Sequence, residues 1–452
     1  MASAYLYRTQ VTATSTKKFT FSTWVRRSGV MSDYEGLLGA YTSDASRNGI
    51  YFGTNAKLNV YFKTGNSSQI YYETTRTFRD THGWYHIVVA VDTTQSTAGD
   101  RVKIYVNGIL ETDFGSSTNP GQNTDFSNIG VSGKDLEVAR MRYGSSNIKY
   151  LNGQMTHVHF SDGYVYAASD FGETDATTGI WKPKVSPTGI TYGNNGFFLK
   201  MDNSANMGLD SSGESHNLTT SGTIIQVPDT PSNIFATINS LDNYYFGGTF
   251  ANIGNTVTGS SSSFTYCTST LGVSKGKYYV EAKLSAADSS GTRIGVVARP
   301  STATNNGIGD RQDEVAFQTN GNLKLNSATT TSWGSTWTTN DIIGIALDLD
   351  NNKIYFSKNG TYQASGNPST GANGQTITAA SSTIDGVYRF GFGDNNSTGS
   401  CTFQYNFGQG FFGTTAVASA QTPDDGIGVF EYDPPTGYRA LCTKSLNAQE
   451  YS

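Results

Sequence analysis

Four of the five histidines stand in close pairs, His82 and His86 in HGWYH and His157 and His159 in HVHF. Residues two apart on a strand share a face, so His157 and His159 could both reach one zinc ion. No cysteine or carboxylate stands beside them to complete a ligand set, and the reading adopted is of solvent-facing strand histidines. Acidic clusters raise a different chemistry. Glycoside hydrolysis needs two carboxyl groups about 5–9 Å apart across the scissile bond. Glu173 and Asp175 in ETDATTG, and Asp310, Asp313 and Glu314 in DRQDEVAF, come nearest to that need. No catalytic residue is assigned to them. GQGFFG, Gly408 to Gly413, satisfies the dinucleotide-binding glycine spacing. That spacing works only between a strand and a helix of a βαβ unit, and the chain continues here as TTAVASAQTPDDG in an all-β setting.

The elements that must position these residues are strands. Of 452 residues, 51 are Gly, 12% are aromatic and only 15% are charged. Aromatic and β-branched residues suit a pleated surface, and Gly and Asn suit tight turns. The length predicts two or three domains. Against 36 acidic residues stand 31 Lys and Arg, for a net charge of −5 without a basic block. A nucleic-acid binder needs a Lys/Arg stripe to displace counterions, so that class is set aside. MASAYLYRTQ has no apolar core of a signal peptide, and no run of about 18 apolar residues occurs. Membrane insertion is therefore not expected. Three cysteines, Cys267, Cys401 and Cys442, cannot build a disulfide framework, which suggests folding in a reducing cytosol.

Short alternating runs separated by Gly, Asn, Ser and Asp recur along the chain, the pattern of β-sandwiches. FTFSTWV puts Phe19, Phe21 and Val25 on one face, and NGIYFGTNAKLNVYFKTG reads as a hairpin around GTNAK. One phrase occurs twice, DRVKIYVNGIL at Asp100–Leu110 and NNKIYFSKNGTY at Asn351–Tyr362. Asn-Gly supplies the positive φ of a tight turn, so each copy predicts the same hairpin after an apolar strand. The expected organisation is a first sandwich over residues 1–165, an irregular packed connector over 166–241, a second sandwich over 242–408 and a packed tail over 409–452.

FTFSTWVRR, GWYHIVVAVD and KIYVNG resemble the laminin-G/pentraxin type of concanavalin A-like fold. GKYYVEAKL, DIIGIALDLDNNKIYFSKNG and FQYNFGQ resemble a SPRY domain. These resemblances imply an all-β protein of two concanavalin A-like jelly-roll sandwiches. The connector strings HFSDGYVYAASDFGETDATTGIWKPK, YGNNGFFLKMDNSANMGLDSSG and DTPSNIFATIN, with DPPTGYRALCTKSLN near the end, resemble segments of bacteriophage tail and other virion proteins.

The jelly-roll glucanases carry Glu-x-Asp-x-(x)-Glu on one strand, and no such run is present, so the resemblance implies binding without catalysis. Pentraxin-like lectins bind calcium through loop carboxylates; Asp92, Asp100 and Asp113 lack a diagnostic spacing, and Ca2+ is the one cofactor left open. SPRY domains bind partners through loops at one end of the sandwich. The matching loops here are PSTATNNGIGDRQD and TTTSWGSTWTTN, which makes Arg311, Asp313, Trp333 and Trp337 the candidate binding residues. Trp337 has an alternative reading as a core residue. The resemblance as a whole implies a virion protein, a tail fibre, spike or appendage that binds a host-surface glycan or protein. Its other partners would be virion proteins, and it would act as a homo-oligomer; the rival reading is a capsid-decorating or tail-assembly protein.

Overall fold

Alternation fixes the two faces of every long strand in the first sandwich. In the computed structural model, which describes residues 3–28, 33–176, 178–245, 247–260, 265–287, 291–299, 307–394 and 400–450, Phe19, Phe21 and Val25 all point into the core as the sequence predicts. In chain order the strands are β1 (Tyr5–Thr9), β2 (Lys18–Arg27), β3 (Glu35–Ser43), β4 (Ser46–Phe52), β5 (Lys57–Thr64) and β6 (Ser67–Thr77). They continue as β7 (Tyr85–Asp92), β8 (Val102–Val106), β9 (Ile109–Leu110), β10 (Phe114–Thr118), β11 (Asp135–Val138) and β12 (Arg140–Arg142). The last are β13 (Ile148–Tyr150), β14 (Gly153–Asp162), β15 (Gly172–Thr174), β16 (Trp181–Pro183), β17 (Phe197–Leu199) and β18 (Thr219–Ser221). Among the described residues, one sheet runs β10-β6-β5-β4-β3-β11-β1-β18 and faces a second, β17-β14-β2-β7-β8-β9.

The repeated phrase forms the expected hairpin in both places. Asn107 and Gly108 have φ of 49° and 84°, and Asn359 and Gly360 have 47° and 80°. Each turn asparagine also ties back to the preceding strand. The Asn107 side-chain oxygen accepts from the His86 amide at 2.8 Å, and that of Asn359 accepts from the Ile342 amide at 2.8 Å. The hairpin around GTNAK is present too, with Phe52 opposite Leu58.

The chain divides into two units, residues 1–226 and 227–452. The boundary between them falls within the expected connector, residues 166–241. Its larger part lies on the outer face of the six-stranded sheet, where Ala168 and Phe171, with Tyr166, Trp181 and Ile190, pack on Val88 and Tyr105. The remainder, from Phe235 through Ile238, enters the core of the second unit.

In the second unit the strands Ile238–Tyr245, Thr265–Ser269, Arg389–Asp394, Arg293–Val297, Glu314–Gln318, Leu323–Leu325 and Ala328–Thr330 form one sheet in that order. The facing sheet is centred on Thr402–Asn406, Lys277–Ala286, Ile342–Asp348 and Lys353–Lys358. The tail over 409–450 covers the outer face of this second sheet. Phe430, Tyr438, Ala440 and Cys442 pack there on Tyr279, Ala346 and Tyr355. Glu281, on the same outer face, accepts the backbone amides of Glu431 and Tyr432 at 2.9 and 2.8 Å.

Candidate functional site

The residues singled out in the sequence are mostly used internally. His86 and His159 are not solvent-facing: they are 0% and 1% exposed. The reason is the connector segment laid over their sheet. Trp181 donates its indole N–H to His86 Nδ1 at 3.0 Å, which leaves Nε2 to donate to Ser22 Oγ at 2.9 Å. His159 stacks on Phe198 at 3.9 Å between ring centroids and bonds the Tyr192 hydroxyl at 2.9 Å. Burial holds these imidazoles neutral, with His86 pulled down to about 3, His157 to about 4, and His159 well below the usual histidine range. His82 is half-buried in a turn beside Asp80. Among the described residues no group of three His, Cys, Asp or Glu is placed to hold a metal ion. Asp92 accepts from Thr94 and Gln95 and pairs with Lys18, Asp100 pairs with Lys103, and Asp113 is exposed.

In the second unit, Trp337 is 3% exposed and joins the core against Phe317 and Phe403. Trp333 packs edge-on against Phe317 and Phe356. Trp337 is thus part of the core, while Trp333 is half-buried at its edge. Arg311 is paired with the buried Glu314, which also accepts the Gly309 and Arg311 amides. Asp313 is 5% exposed, with a φ of 64° and its amide donating to Asn326. Residues 300–306 of the expected binding loop lie outside the described residues. Glu173 and Asp175 both approach Lys182, and Asp310 is held by Arg293 and Lys324. GQGFFG leads into a short two-stranded hairpin, Phe411–Phe412 with Thr415–Ala416, and not into a helix.

What the sequence reasoning missed is a cleft of about 270 Å3 on the outer face of the eight-stranded sheet. Tyr34, Tyr51, Tyr61, Tyr71 and Tyr143 line it, with Asn55, Asn59, Ser68 and Glu73. Strand register builds its floor. Tyr61 lies opposite both Gly49 on β4 and Tyr71 on β6, and Asn59 opposite both Tyr51 and Glu73. Directly opposed outward side chains sit close enough to act as one surface. The wall comes from the β12–β13 hairpin. Ala139, at a φ of 63°, turns the chain out of the sheet after β11, and β12 crosses over β3. Glycine makes that crossing possible. A Cβ on Gly36 would lie 2.4 Å from the Met141 amide nitrogen, and one on Gly39 would lie 2.6 Å from the Arg140 carbonyl oxygen. Tyr143, carried just beyond β12, stacks on Tyr34 at 5.4 Å, and Tyr34 meets Tyr51 edge-on at 5.6 Å.

Among the described residues, the only charged side chain lining the cleft is Glu73, which pairs with Lys57 at 3.2 Å and accepts from Asn55 at 3.2 Å. Arg47 lies over the Tyr61 and Tyr143 rings, at 5.7 and 4.6 Å from their centroids. None of the five phenol hydroxyls is engaged by another described residue. Burial and the neighbouring phenols push the Tyr51 hydroxyl well above the usual phenol range, so it serves as a neutral donor. The ten-residue spacing of Tyr51, Tyr61 and Tyr71 within an alternating meander is the signal that could have revealed this face.

Residues 2–168 match the model of the concanavalin A-like lectin/glucanases superfamily, and residues 277–379 match that of the SPRY domain. No curated protein matches the chain. Among solved structures, the chain is similar to the SPRY domain of human HERC1, at 20% identity and a TM-score of 0.30 over 37% of this chain and 96% of that one. A heptameric SAP-like pentraxin from Limulus polyphemus is 13% identical, with a TM-score of 0.27 over 36% of this chain and 72% of its own. A putative carbohydrate binding protein from Bacteroides ovatus is 15% identical, with a TM-score of 0.34 over 50% and 58%. The chain thus carries a concanavalin A-like domain within its first unit and a SPRY domain within its second.

Proposed function

We propose that the protein is a binding component of a bacteriophage particle, a tail fibre, spike or appendage that engages a host-surface glycan or protein through its first sandwich. One observation carries the binding half of this reading. The chain covers the outer face of the six-stranded sheet and the Glu281 face of the second unit with its own irregular segments, yet leaves an aromatic cleft open on the eight-stranded sheet. Open aromatic rings ringed by amides and hydroxyls are the composition of recognition surfaces. The virion half rests on the resemblance of connector and tail strings such as YGNNGFFLKMDNSANMGLDSSG and DPPTGYRALCTKSLN to segments of phage proteins. Binding is favoured over catalysis because the cleft holds one carboxylate among the described residues, Glu73, already paired with Lys57, where glycoside hydrolysis needs two. Display in several copies around a symmetric particle would turn weak single sites into firm attachment.

The test is attachment of the purified chain to the bacteria that the particle infects, together with competition against particle adsorption. The expected result is saturable binding that competes with adsorption and is lost in a Tyr61→Ala/Tyr71→Ala variant. A chain that ignores host cells and is found seated against neighbouring capsid or tail proteins through this cleft would overturn the reading in favour of decoration or assembly.

A further inference from the structure

We infer that the ligand of the tyrosine cleft is an uncharged glycan, recognised as neutral hexose or N-acetylhexosamine units, with Tyr51, Tyr61, Tyr71, Asn59 and Glu73 as the reading residues. This rests on the proposed binding role and narrows it. Charge argues first. Among the described residues no lysine or arginine lines the cleft, and the cations nearest it are already engaged, Lys57 by Glu73, Lys149 by Asp33, and Arg47 by the Asp44 carbonyl and the Tyr61 and Tyr143 rings. The lining therefore offers a uronate, sialate or phosphate no cation of its own. A cationic headgroup is disfavoured for another reason. Arg47 already occupies the Tyr61 and Tyr143 rings, and Lys149 lies 6.0 Å from the Tyr34 centroid. The attraction those rings could offer a quaternary ammonium is spent on the protein's own cations.

The lining itself is polar as well as aromatic. Interface hot spots bury an aliphatic or aromatic side chain in a dry pocket. Here no described Leu, Ile, Val or Phe lines the cleft, whereas five free phenol hydroxyls, two asparagine amides, Thr54 and Ser68 do. Such an array is wet and rich in donors. A pyranose matches it, because its C–H face stacks on a phenol ring while its equatorial hydroxyls both donate and accept. Glu73 and Asn59, opposed across β5 and β6, give an acceptor and a donor side by side for adjacent sugar hydroxyls.

The experiment is calorimetric titration of the full chain with neutral oligosaccharides built from glucose, galactose, mannose and their N-acetylated forms. Their uronate- and sialate-terminated counterparts, choline chloride and inorganic phosphate serve as charge probes. At least one neutral oligosaccharide should bind, with little dependence on salt and with none of the charge probes competing. Tyr61→Ala should weaken that binding at least about tenfold, the loss typical of a hot-spot aromatic. Tyr71→Phe, which keeps the ring and the fold, should weaken it a few-fold through the lost hydroxyl alone. Binding of an acidic sugar, phosphate or choline in preference to neutral ones, abolished by the same variants, would overturn the inference and leave the binding role standing. Attachment to host cells unchanged by Tyr61→Ala and Tyr71→Phe would overturn the cleft as the site, and with it both readings.

Discussion

Both units set tyrosines on the outer face of a central sheet, and they treat them in opposite ways. In the second, Tyr279 and Tyr355 are 1% and 2% exposed beneath the tail, whose Phe430 meets Tyr279 edge-on at 5.1 Å. In the first, Tyr34, Tyr61, Tyr71 and Tyr143 are half-buried at the rim of an open cleft. The same residue type is structural where the chain folds back over it and available where it does not. Which tyrosines stay accessible is therefore decided less by which residues stand on a sheet than by where the irregular segments lie down.

That contrast can be broken at the tail. Glu281 accepts from two backbone amides, the Tyr279 hydroxyl at 3.1 Å and the Asn406 amide at 3.2 Å. Glu281→Ala leaves those donors unsatisfied in a buried site and is expected to cost about 3–5 kcal/mol in denaturant unfolding. A cost below about 1 kcal/mol would show that the tail is held by apolar packing alone. The two tyrosine faces should then differ in the same assay. Tyr279→Ala should cost about 3–5 kcal/mol as a buried aromatic truncation, and Tyr61→Ala should stay within about 1 kcal/mol. Equal costs would erase the distinction between a covered and an open face.

A smaller effect sharpens the picture of how the cleft is shaped. Gly39→Ala pushes a methyl group into the β12 backbone and should cost about 1–3 kcal/mol, with loss of ligand binding as the Tyr143 wall shifts. Retained binding in that variant would mean that the wall is dispensable.

Acid and base should also separate the units. His86, His157 and His159 have folded values depressed below the unfolded 6.5. Their contribution is fully present above pH 6.5 and is lost as pH falls toward 4 and 3. Glu35, raised by burial, pulls weakly the other way in this unit. Glu281 is raised from 4.5 to about 7 because burial outweighs its donors. Its contribution is fully present below 4.5 and is lost as pH rises through 7. Lowering the pH from 7 to 5 should thus destabilise the first unit and relieve the second, which unfolding monitored by hydrogen exchange in each unit would resolve. Parallel trends would contradict the assignment of these buried groups.

Much of the fold was legible because it obeys period two and turn chemistry. The twin Asn-Gly hairpins, the inward face of Phe19, Phe21 and Val25, and the GTNAK hairpin all came from local pattern. The cleft was not, because its five tyrosines come from β4, β5, β6 and two flanking turns, and only register and the Gly36–Gly39 crossing bring them together. Trp333 and Trp337 sit in a run of Ser and Thr that looks exposed; Trp337 takes the core position of its alternative reading, and Trp333 is half-buried against Phe317 and Phe356. The covering role of residues 166–226 was equally hidden, since Phe171, Trp181 and Phe198 act as single anchors without a period.

The most direct test is hydrogen exchange of the full chain, free and saturated with its best-binding oligosaccharide. New protection is expected to be confined to residues 47–73 and the turn at Tyr143. Protection appearing instead at residues 307–313 and 329–340 of the second unit would contradict a tyrosine-cleft site and return the binding function to the SPRY loops.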